Sequence, residues 1–180
     1  MLCTRVMSET SKKQHRKFTA AAAKKAKDML GIHETGGMAF FVAHIPECRG
    51  NLEAIEVATI AAALTQAPTE LAMCLVSNCD GALVMSFVVP ESRAASLSLD
   101  EWVAVATEGM GAKVVKQTDT TRLVEALADT PANLFPHKMQ DTVMARSFEL
   151  LRSKGLMVDE DGSDEEFDMG EMYAQHGIEL

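Results

Sequence analysis

The stretch Leu71–Pro90, LAMCLVSNCDGALVMSFVVP, decides the fold. Two apolar runs, Leu71–Ser77 and Ala82–Val89, flank Asn78-Cys79-Asp80-Gly81. Asp-Gly between β-prone runs is a hairpin signal, because glycine adopts the positive φ that a tight turn demands. Pro90 then closes the second strand, since it has no N–H to donate to a ladder. Upstream, Gly36-Gly37 opens a third apolar run, Met38–Ile45, which Pro46 stops. Between it and the hairpin, Asn51 is placed to cap a helix carrying Ile55, Ala58, Ala62 and Leu64, with Pro68 beyond its end. The fold class expected is therefore α/β, in the α+β sense of a mixed sheet flanked by helices.

Downstream, Ser98-Leu99-Asp100-Glu101 reads as a capping box, with Trp102, Val105, Ala106 and Gly109 on one face of the helix that follows. A glycine-containing turn, Gly109-Met110-Gly111-Ala112-Lys113, comes next. Val114-Val115 reads as a short strand, and Thr118–Ala128 as a helix capped by Thr118 or Asp119. Pro131 and Pro136 interrupt the chain, and His137–Lys154 reads as a last helix ahead of Gly155, with a partial apolar stripe of Met139, Val143, Phe148 and Leu151.

Charge divides the 180 residues into three parts. Residues 159–180 contain nine acids and no Lys or Arg, so removing them from the total of 26 acids leaves 17 against 17 bases. The first 30 residues hold eight bases against Glu9 and Asp28. Lys12–Leu30 reads as a basic helix, favoured by Ala20–Ala23 and ended by Gly31. The organisation expected is a basic helical extension over 1–35, an α/β domain over 36–130, a helix within 131–158 and an acidic tail over 159–180. The net charge of −9 does not exclude nucleic acid, because a local basic face matters more than the sum.

Residues 1–18, rich in bases, Ser and Thr, have the character of an organelle import segment and lack a secretory apolar core. A mitochondrial matrix location is expected, with the cytoplasm as the alternative. No apolar run reaches the roughly 18 residues of a membrane span, so no membrane association is expected. Cys3, Cys48, Cys74 and Cys79 do not form a disulfide scaffold pattern. Neither His44 with Cys48 nor Cys74 with Cys79 has the tight spacing of a zinc knuckle, so no metal and no cofactor are expected. No nucleotide-binding signature and no acid/base or Ser-His-Asp constellation stands in the chain, which reads as no enzyme.

Several patches resemble the C-terminal domain of eukaryotic-type alanyl-tRNA synthetases. They are the basic helix Lys17–Asp28, the strand Ala39–Ile45, the helix Asn51–Leu64, and the hairpin Met73–Pro90 ending in Val89-Pro90. Leu99-Asp100-Glu101-Trp102-Val103, the Gly109–Lys113 loop and Gln117 follow. The resemblance covers residues 12–128, and Glu101-Trp102-Val103 ahead of the glycine loop is its sharpest piece. It departs from the family at the loop, where Met110 and Ala112 interrupt the glycine run, Val114 replaces an acid, and Gln117 lacks the glycine of the family's Ala-Gln-Ala-x-Gly patch. The synthetase catalytic parts are absent from the chain. The resemblance implies an RNA-associated module, with a degenerate loop of Gly109, Gly111 and Gln117. Lys113 and Lys116, together with Lys12, Lys13, Arg16, Lys17 and Lys24 of the basic helix, are the candidate RNA contacts.

The function expected is a non-catalytic subunit of a ribonucleoprotein, a ribosomal or ribosome-assembly protein. Its partners would be structured RNA (rRNA or tRNA) and protein neighbours met through the acidic tail. The alternatives are a free-standing tRNA-binding helper and an acidic-tail adaptor.

Overall fold

A computed structural model describes residues 9–33, 40–65, 71–79, 81–128, 133 and 135–156. Residues 1–8 of the import-like segment 1–18 and the acidic tail lie outside the described residues, while residues 9–18 belong to α1. The mixed α/β expectation holds: among the described residues five strands form one mixed sheet with helices on both faces. The strands are β1 (Phe40–His44), β2 (Ala72–Cys79), β3 (Ala82–Val88), β4 (Lys113–Gln117) and β5 (Thr121–Leu127), in the order β1-β2-β3-β5-β4. β1 and β2 are parallel and the other pairs antiparallel. The helices are α1 (Glu9–His33), α2 (Leu52–Thr65), α3 (Leu99–Ala106) and α4 (Pro136–Ser153).

Alternation along the central strands splits the core in two. Leu83, Met85 and Phe87 of β3 point to the α3/α4 side, while Val84 and Val88 point to the α1/α2 side. On the first side Trp102 is fully buried, edge-on to Phe87 with ring centroids 5.5 Å apart. Such a pair adds to the area term because the positive edge of one ring meets the negative face of the other. On the second side Ala54, Ile55, Ala58 and Ala62 of α2 cover β2 and β3, and α1 packs outside α2 through Ala22, Ala26 and Leu30. These recur at i, i+4 and i+8, and the two alanines let the backbones approach closely.

The caps follow the sequence reading. Asn51 Oδ1 accepts from the Ala54 amide at 2.9 Å, and Ser98 Oγ accepts from the Glu101 amide at 3.3 Å. The Glu101 carboxylate, however, meets Lys154, just past the end of α4, at 2.8 Å rather than closing a capping box. Gly50 makes the turn from β1 into α2 possible. Its φ is +62°, and a Cβ there would stand 2.6 Å from that of Cys79. That is an approach only glycine permits.

Three expectations are corrected. Residues Thr118–Ala128 do not form a helix: Thr118–Thr120 turn the chain and Thr121–Leu127 is β5, inserted between β3 and β4. Gly31 does not end α1, which continues to His33 while Leu30 is held in the core. α3 stops at Ala106, so Gly109 belongs to the following turn, and Val105 stays partly exposed.

Candidate nucleic-acid interface

With its Ala22–Leu30 ridge turned inward, α1 presents the opposite face to solvent. Lys13, Arg16, Lys17, Lys24, Lys25 and Lys27 are all exposed. None of them is held in an ion pair among the described residues. Lys12 falls in the first turns of α1, where only the backbone is described. From Lys13 to Lys24 the helix rises about 16 Å, so the cations form a strip rather than a point. Near its start, α1 is held to the body by His15, which meets Glu53 of α2 at 3.5 Å, and by Phe18, which lies against His15 and under the Arg49 guanidinium.

The glycine loop has a different job. The Thr107 amide donates to the Val103 carbonyl at 3.0 Å, and the Met110 amide to the Thr107 carbonyl at 3.1 Å. Gly109 and Gly111 take φ of +75° and +60° on either side of Met110, whose side chain is buried in the α3/α4-side core. Asn133 Nδ2 donates to the Met110 carbonyl at 2.6 Å, and the Arg146 guanidinium to the Glu108 carbonyl, also at 2.6 Å. A Cβ at Gly109 or Gly111 would meet nothing within 4 Å, so these glycines serve backbone conformation rather than close approach. The loop is a turn that delivers Met110 into the core. A phosphate cradle needs consecutive free amides, and the central amide here is already spent.

Lys113 and Lys116 stand on β4, an edge strand whose five residues are all exposed. The edge is guarded by the two lysines and by a register shift between Val114 and Lys116, devices that discourage pairing with another chain. Lys116 is in an ion pair with Glu56 of α2, whereas Lys113 has none among the described residues. Gln117 is exposed opposite Arg122, which bonds Asp100 of α3 at 2.9 Å. The candidate contacts therefore fall into two groups on either side of α2. Glu53 faces α1 and Glu56 faces β4, so acids stand between the basic strip and the basic edge.

Two features escaped the sequence reading. One is an open groove of about 680 Å³ beside α2, floored by β3 and β5; reading β5 as a helix removed its floor. The other joins the end of β2 to α4, where Asn78 Nδ2 lies 3.2 Å from His137 Nδ1 and also bonds Gln140. His44 belongs to this corner. Burial and neighbouring His137 hold its pKa below the usual value, against weaker opposing pulls from Glu47 and Asp141. Cys48 lies in the opposite core, so His44 and Cys48 do not converge. Cys74 is buried in the α3/α4-side core while Cys79 is exposed. Among the described residues no group of three His, Cys, Asp or Glu side chains could hold a metal ion. Burial pushes the Cys48 thiol up to about 12 and that of Cys74 up as well, which makes both poor nucleophiles. No described helix is long and apolar enough to cross a membrane. No family model matches this chain, and no curated protein aligns with it at a significant level.

Proposed function

We propose that this chain is a non-catalytic, RNA-associated subunit of a ribonucleoprotein particle, a ribosomal or ribosome-assembly protein acting in the mitochondrial matrix. It would be built on a module like the C-terminal domain of alanyl-tRNA synthetases. The observation that carries the reading is the outer face of α1, where exposed cations have no acidic partner among the described residues. Side chains of this kind neutralise phosphates and release counterions, which gives affinity without sequence readout. The loop geometry favours a subunit over a free tRNA-binding helper, since a helper would depend on its own phosphate contacts and this loop spends its central amide internally. The acidic tail over 159–180, densest in charge across 159–166, suits a basic protein neighbour in such a particle.

The test is sedimentation of the tagged protein from a native mitochondrial lysate, with and without RNase. Co-migration with ribosome-sized particles that collapses on RNase treatment is the expected result. Migration as a small species in both conditions would overturn the subunit reading and leave the helper and the adaptor.

A further inference from the structure

The α1/α2 layer covers only part of its face of the sheet. α2 lies over β2 and β3, and beside it the β5–β4 half is left as the open groove. Val88 and Leu123 form its floor, and Ile60 and Ala63 of α2 form one wall. Ile60 is 52% exposed and Leu64, one turn further along α2, is 78% exposed. At the floor the Ser86 hydroxyl is buried with no hydrogen-bond partner.

We infer that the groove is the docking site of this chain's own residues 167–180. The geometry of the described chain end points there. Leu156 packs onto the α3/α4-side core, and Lys154 just before it bonds Glu101. The next residue along α3, Asp100, holds Arg122, and Arg122 donates to the Thr118 carbonyl. Thr118 lines the groove. A short chain of contacts therefore links the chain end to the groove.

The ten residues 157–166 reach about 33 Å when extended. Six of them are acidic (159, 160, 161, 164, 165 and 166), and their mutual repulsion favours extension. They deliver the part of the tail that is unlike the rest. Residues 167–180 contain Phe167, Met169, Met172, Tyr173, Ile178 and Leu180, with Met169, Met172 and Tyr173 at i, i+3 and i+4. Methionine adapts to irregular apolar surfaces, and tyrosine carries a polar tip on an apolar body, which matches a groove whose lining joins Val88 and Leu123 to the hydroxyl-bearing Thr118, Thr120 and Thr121. The tether makes the encounter intramolecular, so modest contacts suffice. Docking would leave the acidic tract 159–166 as a loop held at both ends.

Hydrogen exchange read by mass spectrometry on the purified full-length chain tests this directly. Amides within 167–180 should exchange at least tenfold more slowly than an unstructured peptide of the same sequence. Ile60→Glu on the groove wall and Met172→Glu on the tail should each abolish that protection and leave β2 and β3 protected, which shows that the fold survives. Unstructured-peptide rates in the wild-type chain, or protection that survives both substitutions, would overturn the inference. Protection that grows with protein concentration would also overturn it, because a second copy would then be the occupant.

Discussion

Replacing Lys13, Arg16, Lys17 and Lys24 together by Gln should remove the main RNA-binding term while leaving the fold intact. All four side chains are exposed on α1 and free of ion pairs among the described residues, so no packing or pairing is lost. Gln has nearly the helix propensity of Lys and Arg, so the helix itself should persist. Each phosphate contact lowers the logarithm of affinity by about 0.7 per decade of salt for a single strand. Four contacts give a slope of about −2.8, or roughly a 50-fold loss of affinity between 50 and 200 mM salt. Fluorescence anisotropy with a labelled single-stranded RNA, titrated across that range, measures the slope. The quadruple variant should bind more weakly, with a slope shallower than the wild type's by about 2.8, the remainder coming from cations such as Lys25 and Lys27. Lys138→Gln, on the opposite face and stacked on Phe135, should change the slope little. A variant whose slope matches the wild type would refute the assignment of α1 as the RNA-facing element.

Met110→Ala should destabilise the protein by about 2–3 kcal/mol, in the lower range for a buried methionine, and lower Tm by roughly 5–10 °C. A thermal scan showing no shift would mean that the loop does not anchor the core. Stability should also fall as pH drops below about 6.5, the ordinary histidine value. His44 has a lowered pKa in the folded chain, so the unfolded chain binds its proton first and acid favours unfolding. The groups that face it are His137, Glu47 and Asp141, and His44→Gln should flatten this part of the urea-midpoint profile against pH.

Much of the architecture was legible because β1, β2 and β3 are dense apolar runs bounded by glycine, proline and a hairpin turn. Such runs have few alternatives to a buried strand. β5 was not legible. Leu123, Val124, Ala126 and Leu127 do not alternate cleanly, because both faces of β5 contribute to the interior: Leu123 on the groove side, Val124 and Ala126 on the other. A short apolar cluster of that kind fits either a strand or a helix, and Thr118 and Asp119 look like caps. The decision is tertiary. β5 satisfies the otherwise open edge of β3 over seven residues, while the Thr118 amide closes the β4–β5 turn by bonding the Thr121 carbonyl at 2.9 Å. The same misreading hid the groove. The basic face of α1 was legible, since its charges and its Ala22–Ala26–Leu30 ridge follow the helical period. Its separation from Lys113 and Lys116 was not, because only the assembled fold sets Glu53 and Glu56 between them.

The division between loop and helix bears on the kind of RNA contact available. Where consecutive amides surround a phosphate, the protein holds it at a fixed point and orientation. Here Gly109 and Gly111 instead turn the chain around Met110, and the Asn133 and Arg146 side chains fasten the neighbouring carbonyls. Most of the charge that remains lies along α1, on long side chains that fix neither register nor orientation. A strip of about four such contacts gives an affinity that a moderate rise in salt largely removes. It becomes useful when other contacts already hold the protein in place, so that each lysine acts at high effective concentration. The proposed particle supplies those contacts, and this coupling is the physical reason for preferring a subunit of an assembly to a protein that finds its RNA alone.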